Sequence, residues 1–169
     1  MSGEYFYLHH VEQTIQQLRA MCLGQNISFF DTLPSYARTF PAEEQIIQAA
    51  NQLTFALAAT APGKDPEELR QSHEWIVSIM RYLVEKCPDA DHTFQNIIKI
   101  VRLDPMTRKC MDKALSCSFP SAFAEEDAPS LLTEHLEEAV LRVLQSCGMI
   151  QHPKEIHAKI AQFLKYSLN

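Results

Sequence analysis

Glycine is scarce in this sequence, which has four glycines and nine prolines among its 169 residues. A P-loop and a dinucleotide-binding turn both need several closely spaced glycines, because the backbone must approach the phosphate groups closely. Neither pattern occurs, so we expect no nucleotide-binding loop of either type. Gly24 and Gly148 stand where apolar helical patterns stop, a position that is typical of glycine at a helix C-terminus.

Paired cysteines and long apolar runs are absent as well. The five cysteines are odd in number and no two have the C-x-x-C spacing, so we expect free, buried thiols in a reducing compartment. No stretch approaches the roughly 18 apolar residues of a transmembrane helix, and the N-terminus lacks the basic and apolar regions of a signal peptide. The sequence therefore predicts a cytoplasmic protein without a membrane span.

Residue types that build catalytic and metal sites are present, but not at the required spacing. Among seven histidines there is no H-E-x-x-H or Glu-x-x-His pair for a metal, and no G-x-S-x-G turn holds a nucleophilic serine. His73 interrupts an apolar stripe, where a histidine bonded to a carbonyl is favoured over a ligand. Cys147 and His152 flank Gly148, but a helix end explains Cys147-Gly148 better than a nucleophile does. We predict no catalytic residue, no metal and no cofactor.

Apolar residues recur every three or four positions along most of the chain, and no stretch alternates with a period of two. This periodicity predicts a single all-α domain over residues 1–169, built as a compact bundle of six or seven helices. Proline spacings of 24 or 25 residues leave a short α-solenoid-like stack of helix pairs as the alternative. The predicted helices begin near Leu8, Pro41, Pro66, Phe94, Pro105, Pro129 and Pro153.

The net charge of −6 is divided into blocks of opposite sign. Residues 99–113 hold five basic and two acidic residues, whereas residues 125–138 hold six acids and no base. A nucleic-acid-binding domain usually has a basic excess, so the acidic total disfavours nucleic acid as a partner. Binding to phosphates through the helix pair at 99–113, which includes Arg108 and Lys109, stays as a third functional hypothesis.

Two segments, at residues 27–40 and 117–123, combine loop-forming residues with large aromatic side chains. Such side chains either anchor a loop to the bundle or contact a partner, and the sequence leaves both roles open. The aromatic candidates for partner binding are Phe29, Phe30, Tyr36, Phe119 and Phe123.

These patterns favour a non-catalytic protein–protein interaction module, such as an adaptor, a regulator or a subunit of a complex. Acidic residues follow the second aromatic segment at 125–127 and would suit a basic or amphipathic helix of a partner protein. The sequence leaves open whether the protein forms a homo-oligomer. The alternative function is that of a helical-bundle enzyme, or of a binder of a small ligand or cofactor, with its site in the bundle core.

Overall fold

The computed structural model describes residues 27–113, 122–124 and 127–149, together with positions 12, 13, 158, 161, 162 and 165. Short 3-10 turns lie at Ser35–Thr39, Asp89–Asp91 and Ala122–Ala124. The helices that the structure delimits are α1 (Ala42–Thr60), α2 (Pro66–Lys86), α3 (Phe94–Val101), α4 (Pro105–Lys113) and α5 (Ser130–Ser146).

The all-α class is confirmed for the described residues, where the one strand-like pairing is an isolated antiparallel bridge between Ser28 and Thr93. The five helices predicted within the described ranges are all present. The first and last predicted helices, near Leu8 and Pro153, lie outside the described residues apart from the isolated positions, which are helical.

Polar caps explain where α2 and α4 begin. Asp65 accepts a hydrogen bond from the backbone N–H of Glu67 at 3.0 Å, and Pro66 occupies the first turn. Asp104 accepts from the N–H of Thr107, also at 3.0 Å. A cap of this kind satisfies a backbone donor that has no partner inside the helix.

The core is formed by α1, which packs between α2 and α5, and by α3, which packs against α2 and α5. Removal of these apolar side chains from water is the main favourable contribution to folding. The largest fully buried side chains include Trp75, Phe29, Phe94, Phe123, Leu53, Leu57, Ile76, Met80, Leu131 and Leu132.

His92 attaches the first aromatic segment to the end of α2. Its Nε2 lies 2.9 Å from the carbonyl oxygen of Leu83 and 3.1 Å from that of Cys87. Since both partners are acceptors, Nε2 carries the proton and donates to carbonyls at the helix C-terminus. The His92 ring stacks on Phe29 at 5.9 Å, and the backbone N–H of Phe29 donates to the His92 carbonyl at 2.8 Å. Phe29 is thereby held in the core.

Glu68, in the first turn of α2, caps the start of α5. Its Oε1 accepts hydrogen bonds from the Ser130 hydroxyl and, at 2.9 Å, from the backbone N–H of Leu131. These two hydrogen bonds, that of Ser130 first, hold the pKa of the Glu68 carboxyl below its ordinary value. The charged form of Glu68 is therefore the form that joins α2 to α5.

Replacing Glu68 by glutamine is expected to lower the stability at neutral pH and to change it little in acid. A carboxyl whose pKa is depressed in the folded state stabilises the protein above its unfolded pKa, about 4.3 for glutamate, and this stabilisation is lost as the pH falls through the folded pKa. Urea unfolding of both proteins from pH 7 to pH 3 measures the difference. A gap that stays constant over that range would contradict the role of the charged carboxylate.

Candidate functional site

An open groove of about 700 Å³ lies between α1 and the end of α5. The residues at the C-terminal end of α5, among them Val143 and Cys147, form one wall. The other wall is one face of α1, lined by Gln48, Asn51, Gln52, Phe55, Ala56 and Ala59.

Phe55 is the most exposed large apolar side chain of the described residues, with 81% of its surface accessible. The buried face of α1 is formed by other residues, including Leu53 and Leu57, so Phe55 projects away from the core. A surface helix normally places a polar side chain at such a position. The exposed aromatic side chain of Phe55 departs from this pattern.

Charged side chains are absent from α1 over most of its length. No Asp, Glu, Lys or Arg occurs between Glu44 and Lys64, although Asn51, Phe55 and Ala59 face solvent in this stretch. By contrast, α2 has two ion pairs at Arg70 alone. Depletion of charge together with an exposed aromatic residue is the compositional signature of a protein interface core.

Hydrogen bonds to neighbouring elements hold the amide side chains of the groove. The Asn51 Oδ1 lies 2.9 Å from Nε2 of His73 on α2. Gln52 bonds Thr32 twice, since its Oε1 accepts from the Thr32 hydroxyl at 3.2 Å and its Nε2 donates to the Thr32 carbonyl at 3.3 Å. The Cys147 thiol donates to the same carbonyl at 3.4 Å. The groove is therefore a preformed feature.

Arg142 is the one charged side chain among the described residues that line the groove. It lies on the last turns of α5, where its guanidinium is 3.9 Å from the Glu138 carboxylate, and both side chains are about half exposed. A surface pair of this kind contributes little to stability. Arg142 is thus available to a carboxylate at the edge of the groove.

Three of the residues that the sequence suggested for partner binding lie in the core instead. Phe29 and Phe123 are fully buried, and Arg108 is 3% exposed. Phe29 is enclosed by Phe30, His92 and Phe94, and Phe123 packs edge-to-face on Tyr82 at 5.8 Å. These contacts show that Phe29 and Phe123 anchor their loops to the bundle, which is one of the two roles that the sequence left open.

Arg108 joins two loops to α2 rather than facing a partner. Its guanidinium lies 4.7 Å from the centroid of the Trp75 ring. Nε donates to the Leu103 carbonyl at 3.1 Å and Nη1 to the Phe123 carbonyl at 2.9 Å. Burial lowers the pKa of the Arg108 guanidinium, while the nearby Asp127 and Asp104 carboxylates act in the opposite direction. The Arg108 guanidinium therefore makes contacts within the fold.

The other candidates are scattered over the surface. Tyr36 is 66% exposed and packs edge-to-face on Phe40 at 6.0 Å. Phe30 is half-buried and Lys109 is exposed, and Phe119 lies outside the described residues. None of these described side chains lines the groove.

Two of the five basic residues at 99–113 make contacts within the protein, which bears on the phosphate-binding hypothesis. Arg102 pairs with Glu137 and Arg108 is buried, so the basic segment presents fewer cations than its sequence suggested. Within the described ranges no group of three or more His, Cys, Asp or Glu side chains is placed to hold a metal ion.

Two of the described cysteines are placed differently from the expectation of a buried position. Cys87, Cys110 and Cys147 carry free thiols, as predicted, but Cys110 and Cys147 are exposed. His73 is half-exposed at the boundary between α1 and α2, where its partner is the Asn51 side chain and not a backbone carbonyl. His152 lies outside the described residues.

Phe55 is not among the residues that the sequence predicts for partner binding, because the aromatic residues predicted there lie in loop segments. Two signals in the sequence pointed to it. Phe55 falls between Leu53 and Leu57, off the apolar stripe of its helix, and it stands near the centre of the charge-free stretch of α1.

Among the described residues, no helix combines the length and the apolar character that crossing a membrane requires. In comparisons with protein-family models, with curated proteins and with solved structures, nothing matched this chain.

Proposed function

We propose that this protein is a non-catalytic protein–protein interaction module that binds an amphipathic helix of a partner protein in the groove between α1 and α5. The observation that carries the proposal is the exposed Phe55 on a helix face without charged side chains. Aromatic residues surrounded by uncharged surface are the usual anchors of protein interfaces. Adaptor, regulator and complex subunit are the roles that this kind of module serves.

The dimensions of the groove support a helical partner. The lining residues of α1 run from Gln48 to Ala59, which corresponds to about 16 Å, or three helical turns. A partner helix of that length presents apolar anchors at positions i, i+3 or i+4, and i+7. Its apolar stripe would cover Phe55 and Ala56, with amide side chains at the edges.

The charge of the groove supports an amphipathic partner over a strongly basic one. Arg142, the charged side chain in the described lining, favours an acidic residue at the matching end of the partner helix. The basic partner suggested by residues 125–127 has no counterpart in the groove.

The sequence supports two further parts of the proposal, the location of the protein and its number of helices. We propose a cytoplasmic location, and a single bundle of six or seven helices that includes the two predicted helices near Leu8 and Pro153.

Photo-crosslinking from position 55 tests the proposal. A photoreactive phenylalanine analogue at Phe55 is expected to form a covalent adduct with a partner in cells, because the groove places that side chain at the interface. The matched control carries the same analogue at Met106 on α4, which is 76% exposed and outside the groove. The proposal fails if position 55 gives no adduct, or if both positions capture the same proteins.

A further inference from the structure

The two helices that form the groove run in opposite directions. Glu68, in the first turn of α2, bonds the first residues of α5, and α2 follows α1 after the connection at 61–65. The start of α5 therefore lies near the C-terminal end of α1. Beyond the other end of α5, Cys147 donates to the Thr32 carbonyl, which Gln52 in the middle of α1 also bonds. Positions further back along α5 are thus positions further forward along α1.

This packing places Arg142 at the end of the groove where α1 ends. Arg142 precedes Cys147 on α5 by about 7.5 Å of helix. Because Cys147 lies beside Gln52 and the two helices are antiparallel, Arg142 is level with the part of α1 between Phe55 and Ala59. A positive charge therefore lies about one helical turn beyond the exposed aromatic ring.

Glu44 gives the other end of the groove the opposite charge. It is exposed and lies in the first turn of α1. At 100° per residue Glu44, Gln48 and Phe55 share one face of α1, and Gln48 and Phe55 line the groove. The neighbouring acid, Glu43, pairs with Arg81 of α2 instead. The groove is therefore negative where α1 begins and positive where α1 ends.

A helix has a charge preference that matches these two ends. Its macrodipole favours acidic side chains in the first turn and basic side chains in the last turn. A partner helix with this distribution satisfies both ends of the groove in one direction only, with its first turn at Arg142 and its last turn at Glu44. In that direction the partner helix runs antiparallel to α1.

We infer that the partner helix lies antiparallel to α1, with an acidic first turn paired to Arg142, a basic last turn paired to Glu44 and apolar residues over Phe55 between them. Arg142 lines the groove, whereas Glu138, one turn earlier on α5, does not. The Arg142–Glu138 pair spans 3.9 Å at the surface, so its exchange for a carboxylate of the partner costs little. The inference rests on the proposed function and adds the direction and the charge order of the partner helix.

Selection from a displayed library of single helices tests the charge order. The helices are about 14 residues long, with the apolar stripe and both terminal turns randomised, and the target is the full chain. Helices that bind the unmodified protein but not the Phe55→Ala protein occupy the groove. The excess of Asp and Glu in their first turn is expected to fall at least about fivefold when the selection is repeated on R142E. The matched control is R102E, an exposed arginine outside the groove lining, which is expected to leave the excess unchanged.

Photo-crosslinking of the most enriched helix tests the direction. A photoreactive analogue is placed in the full chain at Ala59, which lines the groove at the Arg142 end, or at Gln48, which lines it at the other end. Mass spectrometry is expected to find position 59 attached to the first half of the helix and position 48 attached to its last half. The reverse pattern, or attachment of each position to both halves, would overturn the inference. This measurement keeps both charged residues, so it stands even if R142E folds poorly.

The remaining outcomes separate the inference from the proposed function. Helices that require Phe55 but keep the same excess of first-turn acids on R142E would overturn the inference and leave the proposed function intact. A library without any helix that requires Phe55 would contradict both. A dimer in analytical ultracentrifugation that Phe55→Ala dissociates would also overturn the inference, because a second copy of the chain would then occupy the groove.

Discussion

Replacement of Phe123 by alanine is expected to lower the free energy of unfolding by about 3–5 kcal/mol. The Phe123 ring is fully buried and packs on Tyr82. The adjoining backbone is held as well, since the N–H of Ala122 donates to the Ser78 hydroxyl at 3.2 Å. Removal of the ring leaves a cavity in a segment that cannot collapse freely. Urea unfolding followed by circular dichroism measures the change.

The matched control is the same substitution at Phe55. Because Phe55 is 81% exposed, Phe55→Ala is expected to change the free energy of unfolding by less than about 0.5 kcal/mol. Equal losses from the two variants would show that Phe123 does not anchor its loop. Phe123 would then return as a candidate contact for a partner.

Replacement of Arg108 by alanine is expected to destabilise the protein by about 3 kcal/mol or more. The variant removes donors from the Leu103 and Phe123 carbonyls, and a buried acceptor left without its partner costs about 1–3 kcal/mol. It also removes the contact with Trp75, which adds about 0.5–2 kcal/mol. Because Arg108 holds the Phe123 carbonyl, its loss also loosens the segment that Phe123 anchors.

Arg102→Ala is the control for Arg108. Arg102 is 60% exposed and pairs with Glu137 on α5, and an exposed pair contributes up to about 1 kcal/mol. Thermal unfolding of both variants distinguishes a buried from a surface role. A loss for Arg108→Ala no larger than that for Arg102→Ala would contradict the structural role of Arg108.

The helices were predictable because their signals are local. Caps such as Asp65 and Asp104 act within one turn of the chain, and the glycine at 148 ends a helix through hydrogen bonds to residues three to five positions away. Helical periodicity likewise reflects neighbours on the same face. None of these signals depends on which elements meet in three dimensions.

The roles of the loop residues were not predictable, because they depend on residues that are distant in the sequence. Burial of Phe29 depends on His92, which lies 63 positions away in sequence, and burial of Phe123 depends on Tyr82. A basic run at 99–113 gives no sign that Arg108 turns inward onto Trp75. Pairings over such distances are set by tertiary packing, which composition and periodicity do not encode.

The sequence contains evidence for the groove, but this evidence can be interpreted only when the fold is known. A helix of 19 residues with no charge after its first turn is compatible with complete burial. The structure shows that one side of α1 is exposed, and this exposure makes the absence of charge informative. Phe55 then becomes the residue on which the proposed function depends.

The affinity of the Phe55→Ala protein for its partner is the most direct test of that function. Titration calorimetry is carried out with the helical segment that crosslinks to position 55. Truncation of an interface anchor costs about 2 kcal/mol or more, so we expect the affinity to fall by about 30-fold, while the free energy of unfolding stays within about 0.5 kcal/mol of the unmodified protein. An unchanged affinity for that segment would contradict the assignment of the groove as the binding site.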